Sequence, residues 1–226
     1  MAFLLKDVVP WGRNINEYRK MFNLTDEELS NKKIIGFGDG PASFNSEAKG
    51  FGYDVTSLDR IYKFTRLELD KRISETRDII IEQMKNNSDN YVWRDIKDLD
   101  ELERIRMSAM KTFISDYDKG KDDRRYIYHE LPNKTEFSED TFDLGLSSHF
   151  LLMYTALGYD FHIKSINEML RICREVRIFP IVDLDGNKSE LTNKVMEYFK
   201  DNYEVKLIST AYELQKCDNL MLSIKK

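Results

Sequence analysis

Cysteine is nearly missing from this chain. Cys173 and Cys217 are the only two, and neither sits in a Cys-x-x-Cys pair. That excludes a disulfide framework and a thiolate zinc cluster, and makes a reducing, cytoplasmic setting the expectation. Histidine is almost as scarce. His129, His149 and His162 are not spaced as metal ligands, so no zinc site is expected. No apolar run approaches the length that spans a bilayer, and the one inside MAFLLKDVVPWGR is too short for a secretory signal, so no membrane association is expected. A surplus of positive charge is missing too. Lysine and arginine number 35 against 40 acids, a formal net charge of −5. They are interleaved with the acids along the whole chain, which makes nucleic acid a poor partner. There are no internal repeats.

What is present is a normal globular balance, 41% apolar and 33% charged over 226 residues, enough for a single domain with a sizeable core. Helical spacing of Ile15, Tyr18, Met21, Phe22 and Leu29 marks N-terminal helices over 13–31, with a capping box of Thr25 and Glu28 opening the second. A strand at 33–36 runs into a glycine turn. Pro41 reads as the first turn of a helix reaching about Lys49, and a second strand covers 53–58. Proline and glycine are then absent from 65 to 118. Ile73, Ile80 and Met84 mark one helix there. Leu99, Leu102, Ile105, Met110, Phe113 and Tyr117 mark another, with Asp98 as N-cap and Gly120 as terminator. A crossover helix needs about a dozen residues, so this insertion reads either as a helical cap over the core or as a pair packed away from any pocket. KGKDDRR at 119–125 reads as a solvated loop. Strands follow at 125–131, 142–148, 175–184, 203–209 and 219–225, with helices at 160–173 and 189–201. The last two strands lie too close for a helical crossover and must pair antiparallel at one edge. The result is an α/β doubly wound sheet of seven strands, mostly parallel, with the last one antiparallel.

In such sheets the ligand lies beyond the carboxyl ends of the strands, beside the first of them. There the chain reads IIGFGDGPASF, with Gly36, Gly38 and Gly40 at alternate positions. Glycine lets the backbone approach a ligand and take φ > 0. Asp59, 19 residues after Gly40 at the tip of the second strand, is placed to accept hydrogen bonds from ribose hydroxyls. Two features select against a diphosphate. Asp39 sets a carboxylate inside the turn, and Pro41 removes an N–H donor from the helix start. Both disfavour NAD, FAD or ATP, and neither harms S-adenosylmethionine, which carries an ammonium and a sulfonium and no phosphate. No Walker lysine follows the turn.

The stretches WGRNINEYRKMF, GDGPASFNSE, VTSLDRIYKF, FDLGLSSHFLLMY, EVRIFPIVDLDG and YELQKCDNLMLSI together resemble the class I S-adenosylmethionine-dependent methyltransferases. More narrowly they are similar to a little-characterised bacterial group of methyltransferase-like proteins. The resemblance implies that Gly38, Asp39 and Gly40 lie against the methionine part of the cofactor. It sets Asp59 on the ribose and Arg60 beside the adenine, with His129 and Glu130 bordering the adenine, and Ser147, Ser148 and His149 bordering the methyl group. It also exposes a departure. The acid that normally stands two residues before the first glycine of the Gly-x-Gly pair is Gly36 here, with Asp39 as its possible substitute. The Asn/Asp-Pro-Pro-Tyr signature of base amino methylation is missing, so adenine or glutamine N-methylation is not expected.

The expectation is therefore a methyltransferase acting on a small-molecule acceptor with S-adenosylmethionine as cofactor, and His149 as the candidate general base because an imidazole titrates near neutral pH. A non-catalytic cofactor-binding module on the same fold is the alternative, kept open by Gly36. A nucleotide-dependent oxidoreductase is a third reading, which Asp39 opposes. Tyr18, Met21 and Phe22 read either as a lid over the cofactor or as core packing, and Trp11 and Arg13 can reach the pocket through the same segment, with Arg13 meeting a carboxylate or lying on the surface. Tyr91 and Trp93 either line an acceptor pocket or pack between helices.

Overall fold

The computed structural model describes residues 11–87, 90–216 and 218–226. MAFLLKDVVP and Cys217 lie outside these. Two short helices open the described chain. α1 (Ile15–Phe22) is closed at its start by a capping box of Asn14 and Glu17, and at its end by Asn23 in the left-handed region. α2 (Asp26–Asn31) carries the expected capping box of Thr25 and Glu28. Then come β1 (Ile34–Phe37), α3 (Phe44–Gly50) and β2 (Val55–Asp59). A 3-10 turn at Arg60–Lys63 leads into the long helices α4 (Arg66–Asn86) and α5 (Leu99–Asp122). The remainder is β3 (Tyr126–Tyr128), β4 (Phe142–Ser148), α6 (Tyr159–Ile172), β5 (Cys173–Phe179), α7 (Glu190–Phe199), β6 (Glu204–Ser209) and β7 (Leu220–Lys225).

The seven strands form one sheet in the order β3-β2-β1-β4-β5-β7-β6. β7 runs antiparallel to both β5 and β6, and the other pairings are parallel. Strand periodicity divides the core between the two faces. Ile34, Leu144 and Leu146 point to the side packed by α1, α2 and α3, whereas Ile35, Phe37, Val176 and Ile178 point to the side packed by α6 and α7. A third cluster, Tyr62, Phe113, Tyr117 and Tyr126 with Ile73 and Met110, welds α4 and α5 to the β3 edge.

Several boundaries differ from the sequence reading. α3 begins at Phe44, three residues beyond Pro41, because the turn continues through residues 41–43 before helical bonding starts. β3 spans three residues, not seven. β5 stops at Phe179, where Pro180 offers no N–H to a ladder. Gly120 does not end α5 but lies inside its last turn, where a Cβ would collide with the ring of Tyr126. α5 also absorbs most of the charge run expected to be a loop. Arg125 at the end of that run is buried and makes paired hydrogen bonds to Asp116 at 2.7 and 2.8 Å, with a third to Asn45. Among the described residues, no helix is long and apolar enough to cross a membrane, and no group of His, Cys, Asp and Glu is arranged to hold a metal.

Candidate functional site

A cavity of about 350 Å³ opens at the carboxyl ends of β1, β2 and β4. Its floor is the glycine turn. Gly38 (φ 76°) and Gly40 (φ 57°) both take the left-handed region, which side chains other than glycine adopt at a cost. The Gly38 N–H donates to the Leu58 carbonyl at 2.8 Å, and the Tyr62 hydroxyl donates to the Gly40 carbonyl at 2.8 Å, so the turn is fixed from below.

Of the residues expected at the site, Gly38, Asp39, Gly40, Asp59, Arg60, His129, Glu130, Ser148 and His149 all line the cavity. Gly36 and Ser147 do not border it. Both are buried inside strands, and the Ser147 hydroxyl meets no hydrogen-bond partner among the described residues.

The reason for Gly36 lies in its neighbour. A Cβ built at Gly36 would fall on the carboxylate of Asp39. The Asp39 side chain therefore folds back beneath the turn and fills the space that a side chain at position 36 would take. It accepts hydrogen bonds from the Tyr18 hydroxyl (2.8 Å) and the Ser57 hydroxyl (2.6 Å). Burial, opposed by those two bonds and reinforced by the Asp59 charge, pushes its pKa up to about 7. No cation lies within ion-pair distance of Asp39 among the described residues.

This assigns a pH dependence. A carboxyl held protonated in the fold stabilises it at low pH, and the advantage is lost as pH rises from the ordinary carboxylate range through about 7. Asp39→Asn, which cannot ionise, should therefore gain on the wild type between pH 5 and pH 8, by an amount on the order of 2–3 kcal/mol at most. Urea unfolding of both proteins at the two pH values checks this; parallel pH curves would refute it.

Asp59 is held as firmly. One carboxylate oxygen accepts from the Gly40 N–H at 2.7 Å and the other from the Ile61 N–H at 2.8 Å. Each oxygen retains a second lone pair for a ligand hydroxyl. His149 follows β4 with φ 53°. Its Nδ1 lies 2.9 Å from the Ser148 hydroxyl, and its Nε2 lies 4.0 Å from Asp218. Burial, and then the charges of Arg13 and Arg106, hold its pKa well below the usual histidine value. The expectation of an imidazole tuned to neutral pH is thus corrected: the ring is neutral and a weak base.

Arg13 and Tyr18 reach the cavity, as does Tyr91, whereas Trp93 packs against the core. The Arg13 guanidinium donates to the Trp11 carbonyl at 3.2 Å, and its Nε has no partner among the described residues. Burial and the nearby Arg106 lower its pKa. By contrast, Arg106 is fully buried and donates to the Glu17 carboxylate and to the Tyr212 hydroxyl (3.1 Å). Only Arg106 bonds the Glu17 carboxylate, whose charge reaches Arg13 through space, and Arg13 makes no ion pair among the described residues.

The helical insertion settles between its two alternatives by splitting them. The end of α4 lines the cavity through Ile80 and Met84, while α5 packs toward α1 and β3. Residues 90–92 are laced to the loop before β7 by backbone bonds from Val92 to Leu214 (2.7 Å) and from Lys216 to Asn90 (2.9 Å). Sequence reading missed Tyr154 and Asp218 on the cavity wall. Both fall in stretches quoted for the resemblance, but nothing in their local spacing marks them.

The strand order with β7 reversed between β5 and β6 defines the class I methyltransferase-like α/β fold. The chain is 40% identical over 224 residues to the uncharacterised protein MJ0045 of Methanocaldococcus jannaschii, covering 98% of each, and it belongs to that protein's family. This relative is archaeal, where the resemblance pointed to a bacterial group. No family model matches the chain. Among solved structures, the PH0226 protein of Pyrococcus horikoshii aligns over 93% of this chain and 88% of its own, with 8% identity and a TM-score of 0.49. A methyltransferase of Pyrococcus furiosus aligns over 94% and 82%, with 14% identity and a TM-score of 0.46. A TehB-like S-adenosylmethionine-dependent methyltransferase of Corynebacterium glutamicum aligns over 93% and 86%, with 14% identity and a TM-score of 0.44.

Proposed function

We propose that the chain is a methyltransferase that binds S-adenosylmethionine across the glycine turn and serves a small-molecule acceptor. One observation carries this reading. Asp39 is a buried carboxylate under the turn, bonded to two hydroxyls and to no cation among the described residues. It favours a ligand that brings positive charge to that point and opposes a diphosphate.

The cavity's donor and acceptor set fits such a ligand. Asp59 offers lone pairs to ribose hydroxyls, and Arg60, His129 and Glu130 flank the same end. Asp39 serves the ammonium of the methionine portion, and the unmatched Arg13 guanidinium serves its carboxylate. The bound cofactor supplies a methyl carbon activated by an attached sulfonium. The chain's own contribution is alignment and exclusion of water by Phe150, Met153 and Tyr154.

Calorimetric titration is expected to give micromolar-range binding of S-adenosylmethionine and S-adenosylhomocysteine, and no heat with NADH. Absence of heat with both adenosyl ligands would sink the reading. Arg13→Met should weaken S-adenosylhomocysteine about tenfold or more and leave 5′-methylthioadenosine, which lacks the amino-acid end, unchanged. Equal losses for both ligands would remove Arg13 from the carboxylate. The low pKa of His149 favours a second reading, a cofactor-binding module without transfer. Methyl-labelled cofactor incubated with a metabolite extract separates the two: label moves to an acceptor only under the first.

A further inference from the structure

The wall built from α4 and the loop before β7 takes no part in holding the cofactor in the reading above. Ile80, Met84 and Leu214 give it a carbon surface, Tyr91 adds a ring, and Gln215 and Asp218 supply the polar groups. Asp218 stands apart from the rest. It is 2% exposed, and its Oδ1 accepts no hydrogen bond among the described residues. Its Oδ2 lies 4.0 Å from His149 Nε2, beyond a hydrogen bond.

A buried carboxyl oxygen without a donor is costly, and a ligand that brings an N–H or O–H donor to it relieves that cost. The other charged groups facing it are Arg13, the neutral His149 and the acidic Glu213. Arg13 goes to the cofactor's carboxylate in the reading on which this inference rests. Asp218 then remains as an uncompensated acid on an otherwise apolar wall.

We infer that Asp218 anchors the methyl acceptor, and that the acceptor is an amine carried on an apolar body. An ammonium gives the carboxylate a charge-assisted hydrogen bond as a hydroxyl does, and adds an opposite charge that the hydroxyl lacks. Such an amine enters as its ammonium form. One N–H proton passes to the Asp218 carboxylate, which becomes the neutral acid, and the electron pair of the broken N–H bond stays on nitrogen as the nucleophilic lone pair. Burial raises the Asp218 pKa, the bound ammonium opposes that rise and holds the carboxylate form, and the remaining rise makes Asp218 a better proton acceptor than an exposed aspartate. Asp218 thereby takes the role for which the sequence nominated His149.

The test uses the full chain saturated with S-adenosylhomocysteine, whose own titration reports separately on the cofactor reading. Benzylamine and its neutral near-isostere benzyl alcohol are titrated in by ligand-observed NMR. Benzylamine is expected to bind about tenfold tighter, and Asp218→Asn is expected to abolish that preference while keeping S-adenosylhomocysteine affinity. Equal binding of the two probes, binding of neither, or a preference that survives Asp218→Asn overturns the inference. If Asp218→Asn fails to fold, the comparison of the two probes on the wild-type chain still decides it.

Discussion

Arg106→Met is expected to lower the free energy of unfolding by about 3–5 kcal/mol, the usual cost of removing one partner from a buried ion pair. Arg106 projects from α5 with no exposed surface and reaches both the Glu17 carboxylate on α1 and the Tyr212 hydroxyl in the loop before β7. Its loss leaves Glu17 buried with the Asn14 N–H and the Tyr212 hydroxyl as its donors among the described residues. Three segments distant in sequence lose their common tie at once. Urea unfolding measures the loss, and the double variant with Glu17→Gln should recover part of it, because the orphaned charge goes too. A single-variant loss below about 1 kcal/mol would show that the pair is not buried in solution. There is also an electrostatic readout. Arg106 is one of the charges that depress the His149 pKa, after burial and Arg13, so an NMR titration should find that pKa moved upward in Arg106→Met.

Gly38→Ala should damage both fold and site. The residue sits at φ 76°, and a Cβ there would stand 2.7 Å from the ring of Phe150. The left-handed conformation costs an alanine on the order of 1–2 kcal/mol. The clash adds to this, since Phe150 either moves or fills the cavity. We expect a stability loss of about 1–3 kcal/mol and S-adenosylhomocysteine binding weakened tenfold or more. Gly40→Ala is the companion measurement. Its φ of 57° carries a similar strain, but its Cβ would meet nothing within 4 Å, so its stability loss should stay near 1 kcal/mol. Indistinguishable melting curves for the two variants would remove Phe150 from the argument.

The architecture was largely legible in the residues. Short apolar runs placed all seven strands, and Thr25 with Glu28 and Asp98 marked helix starts that the structure keeps. The misreadings share a physical cause. Gly120 and Pro41 were taken as local punctuation, but Gly120 is needed for the approach of Tyr126, and the turn at Pro41 is held by contacts from residues distant in sequence. Arg13 bonds through its carbonyl to the Ser43 N–H, and Asp59 takes the Gly40 N–H. Long-range packing overrules spacing at both points. At the site, the glycine turn and Asp59 were visible because they are tied to a strand end. The displacement of acidic character from position 36 to Asp39 was visible only as an alternative, and its fold-back needed coordinates. His149 was visible, but the surroundings that set its pKa come from α5 and the N-terminal segment, which no local pattern records. Asp218 was invisible for the same reason.

The lacing of residues 90–92 to the loop before β7 has a kinetic consequence. Two backbone bonds, Val92 to Leu214 and Lys216 to Asn90, run side by side between segments that both face the cavity. Two bonds that flank a single bridge are expected to open together, so the exchange rates of the Val92 and Lys216 amide hydrogens should rise and fall in step, and unequal rates would show that the two bonds open separately.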